Sequence, residues 1–176
     1  SGVVVWDHPN AEAPVSIVEF SDFECPGCRA KWELVDGALE TLGEDLRHGM
    51  VNYPLTTIHP WAFRAAVAGW CVARQDPERL LELKELFYSL QREMEVAEVT
   101  PTARDFVAAS DLDEAAFDAC YLAPESLRGV LDQVELAQRT GVDATPTYVV
   151  NGWLIQVPRE EWFLPMLQRM AAGEEP

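Results

Sequence analysis

The chain has 176 residues, 48% apolar and 24% charged, which suits one compact domain or one domain carrying a sizeable insertion. Thirteen basic residues against 30 acidic ones give a net charge of −17, which disfavours nucleic acid and anionic membrane as partners. No apolar run approaches the roughly 18–20 residues that span a bilayer. Ser1-Gly2-Val3-Val4-Val5 also lacks the basic start and long apolar stretch of a signal peptide. As given, the chain is expected to be soluble, with an upstream leader or anchor left open.

The first strong element is Pro14-Val15-Ser16-Ile17-Val18-Glu19-Phe20, a β-branched run behind a proline that predicts a buried strand. After Ser21-Asp22-Phe23-Glu24 comes Cys25-Pro26-Gly27-Cys28. Trp32, Val35, Leu39 and Leu42 then recur at helical spacing, and Gly43 stops the helix. Leu46 to Tyr53 predicts a second strand. The middle of the chain is helical. Phe63, Val67 and Trp70 share a face, as do Leu80, Leu83, Phe87 and Leu90, with Pro77 in that helix's first turn. Helices follow over Pro101–Ala109, Asp113–Tyr121 and Glu125–Arg139, the last with Leu127, Leu131 and Val134 expected inward and Gly141 as its stop. Asn151-Gly152 between Thr147–Val150 and Trp153–Gln156 predicts a hairpin. A last helix covers Arg159–Ala172. The order β-α-β, helices, β-β-α predicts an α/β fold with one sheet interrupted by a helical insertion.

Of the four cysteines, Cys25 and Cys28 are separated by two residues at the start of a helix, a spacing that permits a reversible disulfide. There the unpaired backbone N–H groups and the helix dipole favour a thiolate, and a stabilised thiolate makes the disulfide oxidising. Pro26 opens the helix without needing an N–H partner. The competing readings are half a zinc site and a purely structural bridge. Zinc needs four ligands, while Cys71 and Cys120 lie on separate helices and His8, His48 and His59 show no ligand spacing. Redox chemistry with no metal and no cofactor is therefore expected. Asp22 and Glu24 would raise the Cys25 pKa and Arg29 would lower it, if close. His59-Pro60-Trp61 looks like a helix start with a plain surface histidine. By their own sequence context Cys71 and Cys120 read as buried free thiols.

Val18 to Cys28 resembles the active-site strand and turn of the DsbA-like disulfide oxidoreductases, a branch of the thioredoxin superfamily. Gly141-Val142-Asp143-Ala144-Thr145-Pro146-Thr147-Tyr148-Val149-Val150-Asn151-Gly152 resembles that family's second signature, a loop whose cis-proline faces the cysteines. The resemblance runs from about residue 10 to the end. It implies a thioredoxin-like domain over 1–57 and 140–176 with a helical insertion over 58–139, and it implies these roles. Cys25 is the nucleophile that forms the mixed disulfide and Cys28 resolves it. Pro26 and Gly27 form the active-site loop. Pro146 is the cis-proline, and Thr145 presents its backbone to the substrate chain. Glu19 matches a buried glutamate that assists proton movement; the alternative is a strand carboxylate facing solvent. Many relatives carry an aromatic residue or histidine where Gly27 stands, so a side chain that tunes the thiolate is missing here. The resemblance also implies a structural disulfide between Cys71 and Cys120.

On this reading the chain is a monomeric donor of disulfides to unfolded or reduced protein substrates. It is expected to be extracytoplasmic, periplasmic or in the cell envelope, with a membrane redox partner that reoxidises it. A reductase or isomerase, or a non-catalytic binding module whose CxxC holds metal, are the alternatives.

Overall fold

The computed structural model describes residues 6–7, 10, 12–156 and 158–175. Its sheet has strands Trp6–Asp7 (β1), Val15–Ser21 (β2), Leu46–Asn52 (β3), Thr147–Val150 (β4) and Trp153–Ile155 (β5), in the order β1-β3-β2-β4-β5. The central β2 runs parallel to β3 and antiparallel to β4. With both neighbours and both faces covered, most of it is buried, and Val15, Ile17, Val18 and Phe20 supply the apolar, β-branched run that reads clearly in sequence. β1, which no sequence signal predicts, is only two residues long and pairs antiparallel with β3 through Trp6↔Met50 and Asp7↔Gly49. The β4–β5 hairpin turns on Asn151 and Gly152, at φ 45° and 90°, the left-handed pair that a two-residue turn requires.

Helices Pro26–Leu42 (α1) and Glu160–Ala171 (α7) cover one face of the sheet. There Val15, Ile17, Leu46, Tyr148 and Val150 pack on Val35, Ala38, Phe163 and Leu167. The opposite face, with Phe20 and Val51, is covered by Pro124–Arg139 (α6) through Ala137. Between β3 and α6 lie Ala62–Gln75 (α2), Pro77–Leu90 (α3), Val99–Ala109 (α4) and Glu114–Tyr121 (α5). Their shared core takes in Phe23 from the end of β2 and Met50 from β3, so the helical layer rests on the end of the sheet that carries the cysteines.

Two helices differ from expectation. α4 begins at Val99 instead of Pro101, because Val99 is buried and a proline within the first turn breaks no helical hydrogen bond. α6 turns a different face inward: Leu127 and Leu131 are 41% and 50% exposed, while Ser126, Gly129, Val130, Gln133 and Ala137 are buried. The reason is close approach. A Cβ on Gly129 would fall 2.4 Å from the Trp70 ring of α2, so small residues, not leucines, line this contact. Apolar periodicity therefore misplaces Leu127 and Leu131, while Val134 packs inward against the Phe20 and Val51 cluster as expected. Among the described residues no helix is long and apolar enough to cross a membrane.

Candidate active site

Cys25 is the N-cap of α1 and Pro26 its first residue. The cap is set by the turn that ends β2, where the Cys25 N–H donates to the Asp22 carbonyl at 3.1 Å. Cys25 is 6% exposed and Cys28 fully buried, and both are free thiols. The Thr145–Pro146 peptide is cis, and the loop it forms meets the cysteines directly: the Cys25 thiol donates to the Thr145 carbonyl at 3.3 Å. Gly27 lies against the same loop. A Cβ there would stand 3.2 Å from Pro146 Cδ and 3.5 Å from Cys25 Sγ, so the small residue lets the turn and the proline close on one another. Cys25, Gly27 and Cys28 thus form one cluster with Thr145 and Pro146, although Cys25 and Thr145 are 120 positions apart in sequence.

The two sulfurs are pushed in opposite directions. The Cys25 thiol is lowered to about 5, chiefly by the hydrogen bond from Cys28 and against burial, with Thr145 and the Cys28 and Gly27 backbone N–H groups adding to it. Burial first, then the hydrogen bond with Cys25 and the negative charge of Cys25 and Glu19, push Cys28 well above the usual thiol range. The carboxylates before Cys25 have other partners. Asp22 accepts from the Glu24 and Leu55 N–H groups at 2.8 Å each and from His59 Nδ1 at 2.7 Å. Glu24 accepts from the Trp61 and Ala62 N–H groups at 2.6 and 2.9 Å, tying it to the start of α2. His59 is not the plain surface histidine expected: its side chain is 12% exposed and bound to Asp22.

Behind Cys28 lies a charged cluster. Glu19 is 1% exposed, which rules out a strand carboxylate facing solvent. It accepts two hydrogen bonds from Lys84 Nζ at 2.8 and 2.9 Å and one from His48 Nε2 at 3.1 Å. Burial alone would raise its carboxyl, but Lys84, then His48, outweigh that and hold it well below the usual carboxylate range. The Lys84 ammonium sits 4.4 Å from the centre of the Trp32 ring, a cation–π contact. Tyr88, one helical turn further along α3, meets Ser21 at 3.1 Å and packs with Cys25, Cys28 and Trp32.

Lys84, His48, Tyr88 and Gln91 were not singled out from the sequence. Lys84 did carry a signal: it falls four residues after Leu80 and three before Phe87, on the apolar face of α3, where a lysine is rarely buried without an acid to meet it. His48 shares its strand face with Leu46 and Met50 by the two-residue period. Gln91 carried no signal. Its side-chain amide donates to the Phe23 and Cys25 carbonyls at 2.9 and 3.0 Å, fastening the helical layer to the active-site turn. His8 lies outside the described residues.

Cys71 on α2 and Cys120 on α5 form a disulfide with Cα atoms 5.8 Å apart, the pairing that the family resemblance implies, and the alternative of two free thiols falls. The Ser126 hydroxyl lies 3.2 Å from Cys120 Sγ and 3.7 Å from Cys71 Sγ, and it is the only possible donor between them, since the bonded sulfurs carry no proton.

A cysteine pair capping a helix and facing a cis-proline loop, on a central sheet of this topology, defines a protein of the thioredoxin fold. Comparison with known proteins agrees: residues 9–164 match the thioredoxin family model described as "Thioredoxin", and the chain belongs to that family. Among curated proteins it is 32% identical over 141 residues to the Na(+)/H(+) antiporter NhaA 1 of Mycolicibacterium gilvum, covering 80% of this chain and 22% of that one. The chain therefore spans about a fifth of the length of such relatives. It is 28% identical over 158 residues to disulfide bond formation protein D of Bacillus subtilis, covering 82% of this chain and 67% of that one. The solved structure of oxidised BdbD from Bacillus subtilis superposes with a TM-score of 0.81 at 21% identity, covering 98% of this chain and 94% of that one. The fold is thus the DsbA-like form of the thioredoxin fold.

Proposed function

We propose that the chain is a thiol–disulfide oxidoreductase that donates the Cys25–Cys28 disulfide to the thiols of reduced or unfolded proteins. One observation carries this reading: Cys25 is lowered to about 5 while Cys28, its partner in the pair, is pushed up. A thiolate stabilised in the reduced form makes the reduced form the lower-energy one and the disulfide a strong oxidant.

The step balances as follows. A substrate thiolate attacks Cys25 Sγ, the Cys25–Cys28 bond breaks, and Cys28 leaves with the electron pair. Burial and the neighbouring Glu19 charge disfavour a Cys28 thiolate, so it takes up a proton; Glu19, held by Lys84 and His48, is assigned the role of assisting that proton movement. A second substrate thiolate then attacks its own sulfur in the mixed disulfide, releasing Cys25 as the thiolate. The substrate has lost two electrons and two protons, and the pair holds the electrons until a membrane redox partner, an external oxidant, removes them. Thr145 and Pro146 present the loop along which the substrate chain lies. Residues 58–139 form a helical insertion in a thioredoxin-like domain of 1–57 and 140–176, and the protein acts as a monomer. The Cys71–Cys120 disulfide supports an oxidising, extracytoplasmic setting.

The test is oxidation of a reduced, unfolded protein by the oxidised chain. Cys28→Ser should trap a mixed disulfide at Cys25, and Cys25→Ser should abolish both trapping and turnover. Undiminished oxidation by Cys25→Ser would overturn the reading.

A further inference from the structure

Next to Cys25, whose neighbours Glu24 and Pro26 both line it, lies an open cavity of about 470 Å³ whose wall also includes Arg29, His59, Gln91 and Arg92. Its volume suits one or two side chains of an incoming peptide. Pro26 directly follows Cys25, and Gln91 binds the Cys25 carbonyl at 3.0 Å, so the cavity opens within a residue of the reacting sulfur.

Most of the polar groups on its wall are already engaged. Glu24 is bound to the first N–H groups of α2. His59 is bound to Asp22. The Gln91 amide is divided between two backbone carbonyls. Arg29, in the first turn of α1, and Arg92, just after α3, make no ion pair among the described residues. On a chain with 30 acidic and 13 basic residues, two unpaired guanidiniums in the concavity next to the nucleophile are an exception to the surface charge. Each presents a planar fork of donors that fits a carboxylate, and the N-terminus of α1 adds its positive end.

We propose that this cavity is a recognition subsite for an acidic residue of the protein substrate, an aspartate or glutamate two or three positions from the cysteine that attacks Cys25. The inference rests on the thiol-exchange reading above. The subsite would direct the enzyme toward cysteines in acidic sequence contexts and would disfavour those flanked by lysine.

The experiment compares three dithiol peptides, identical except for Glu, Gln or Lys at the positions two and three residues from the reacting cysteine. Their second-order rates with the oxidised chain are measured at low ionic strength. Each rate is divided by that peptide's rate with a neutral disulfide, which removes the effect of the flanking charge on the thiol itself. The Glu peptide should react about fivefold faster than the Gln peptide, and the Lys peptide slowest. The Glu-to-Gln ratio should fall to near one in Arg29→Gln/Arg92→Gln and in 1 M salt, and should largely return in Arg29→Lys/Arg92→Lys. Glutathione, whose carboxylates come without a protein chain, should show a smaller drop than the Glu peptide in the double variant. Equal rates for the three peptides, or an unchanged ratio in the double variant, would overturn the subsite and leave the exchange reading standing. No exchange with any peptide would overturn both.

Discussion

At the scale of single residues, the site works by setting two thiols and one buried ion pair against each other. Cys25 should titrate with a midpoint near 5 when followed by thiolate absorbance in the reduced protein; a midpoint near the free-thiol value of about 8.5 would contradict the geometry. Between about 5 and the free-thiol value of about 8.5, the unfolded chain holds a proton that folded Cys25 has released, so raising the pH across that range stabilises the reduced form. That contribution is lost as pH falls through 5. Urea unfolding of the reduced protein should therefore show stability rising with pH over this window, relative to the oxidised form. Lys84 belongs to the same cluster. Lys84→Met leaves the Glu19 carboxylate buried without its main partner, which should cost about 3 kcal/mol or more at neutral pH. The deficit should narrow in acid, where Glu19 of the variant takes up a proton, and Glu19→Gln/Lys84→Met should be more stable than Lys84→Met alone. The cysteine pair was legible in sequence because it is local. The Glu19–Lys84 pair was not, because its members are 65 positions apart and meet only when α3 is laid against β2.

At the scale of elements, what was legible followed the pattern each element carries by itself. The buried β2 run, the Asn151-Gly152 hairpin and the proline starts of α1 and α3 all come from local chemistry and are found where the sequence puts them. The inward face of α6 depends on a neighbour instead. Gly129 permits contact with Trp70, and the leucines that a periodicity argument favours are left outside. Gly129→Ala is the direct check. Its methyl would lie 2.4–2.8 Å from three atoms of the Trp70 ring, so a loss of about 1–3 kcal/mol is expected in thermal or urea unfolding. An unchanged midpoint would mean that α2 and α6 are further apart than described. β1 escaped detection because two residues carry no periodicity to detect.

At the scale of the whole molecule, the helical layer is joined to the sheet through the site itself. Lys84 and Tyr88 reach the space behind Cys28, Gln91 holds the active-site turn, and Glu24 caps α2. Within the helical layer, the Cys71–Cys120 disulfide closes a loop of 49 positions, for which loop-closure entropy gives up to about 4 kcal/mol. Cys71→Ala/Cys120→Ala should lower stability by a large part of that figure in urea unfolding and leave the Cys25–Cys28 pair able to exchange. Its pairing came from the family resemblance and not from the residues themselves, because nothing local joins two cysteines on separate helices. The family resemblance covers the chain, but the direction of electron flow depends on the balance between Cys25 and Cys28. That balance is read most directly from the reduction potential of the pair, measured by equilibration against glutathione. A disulfide donor with Cys25 stabilised as described should give a value near about −120 mV; a value near about −270 mV would place the pair among reductants and contradict the account.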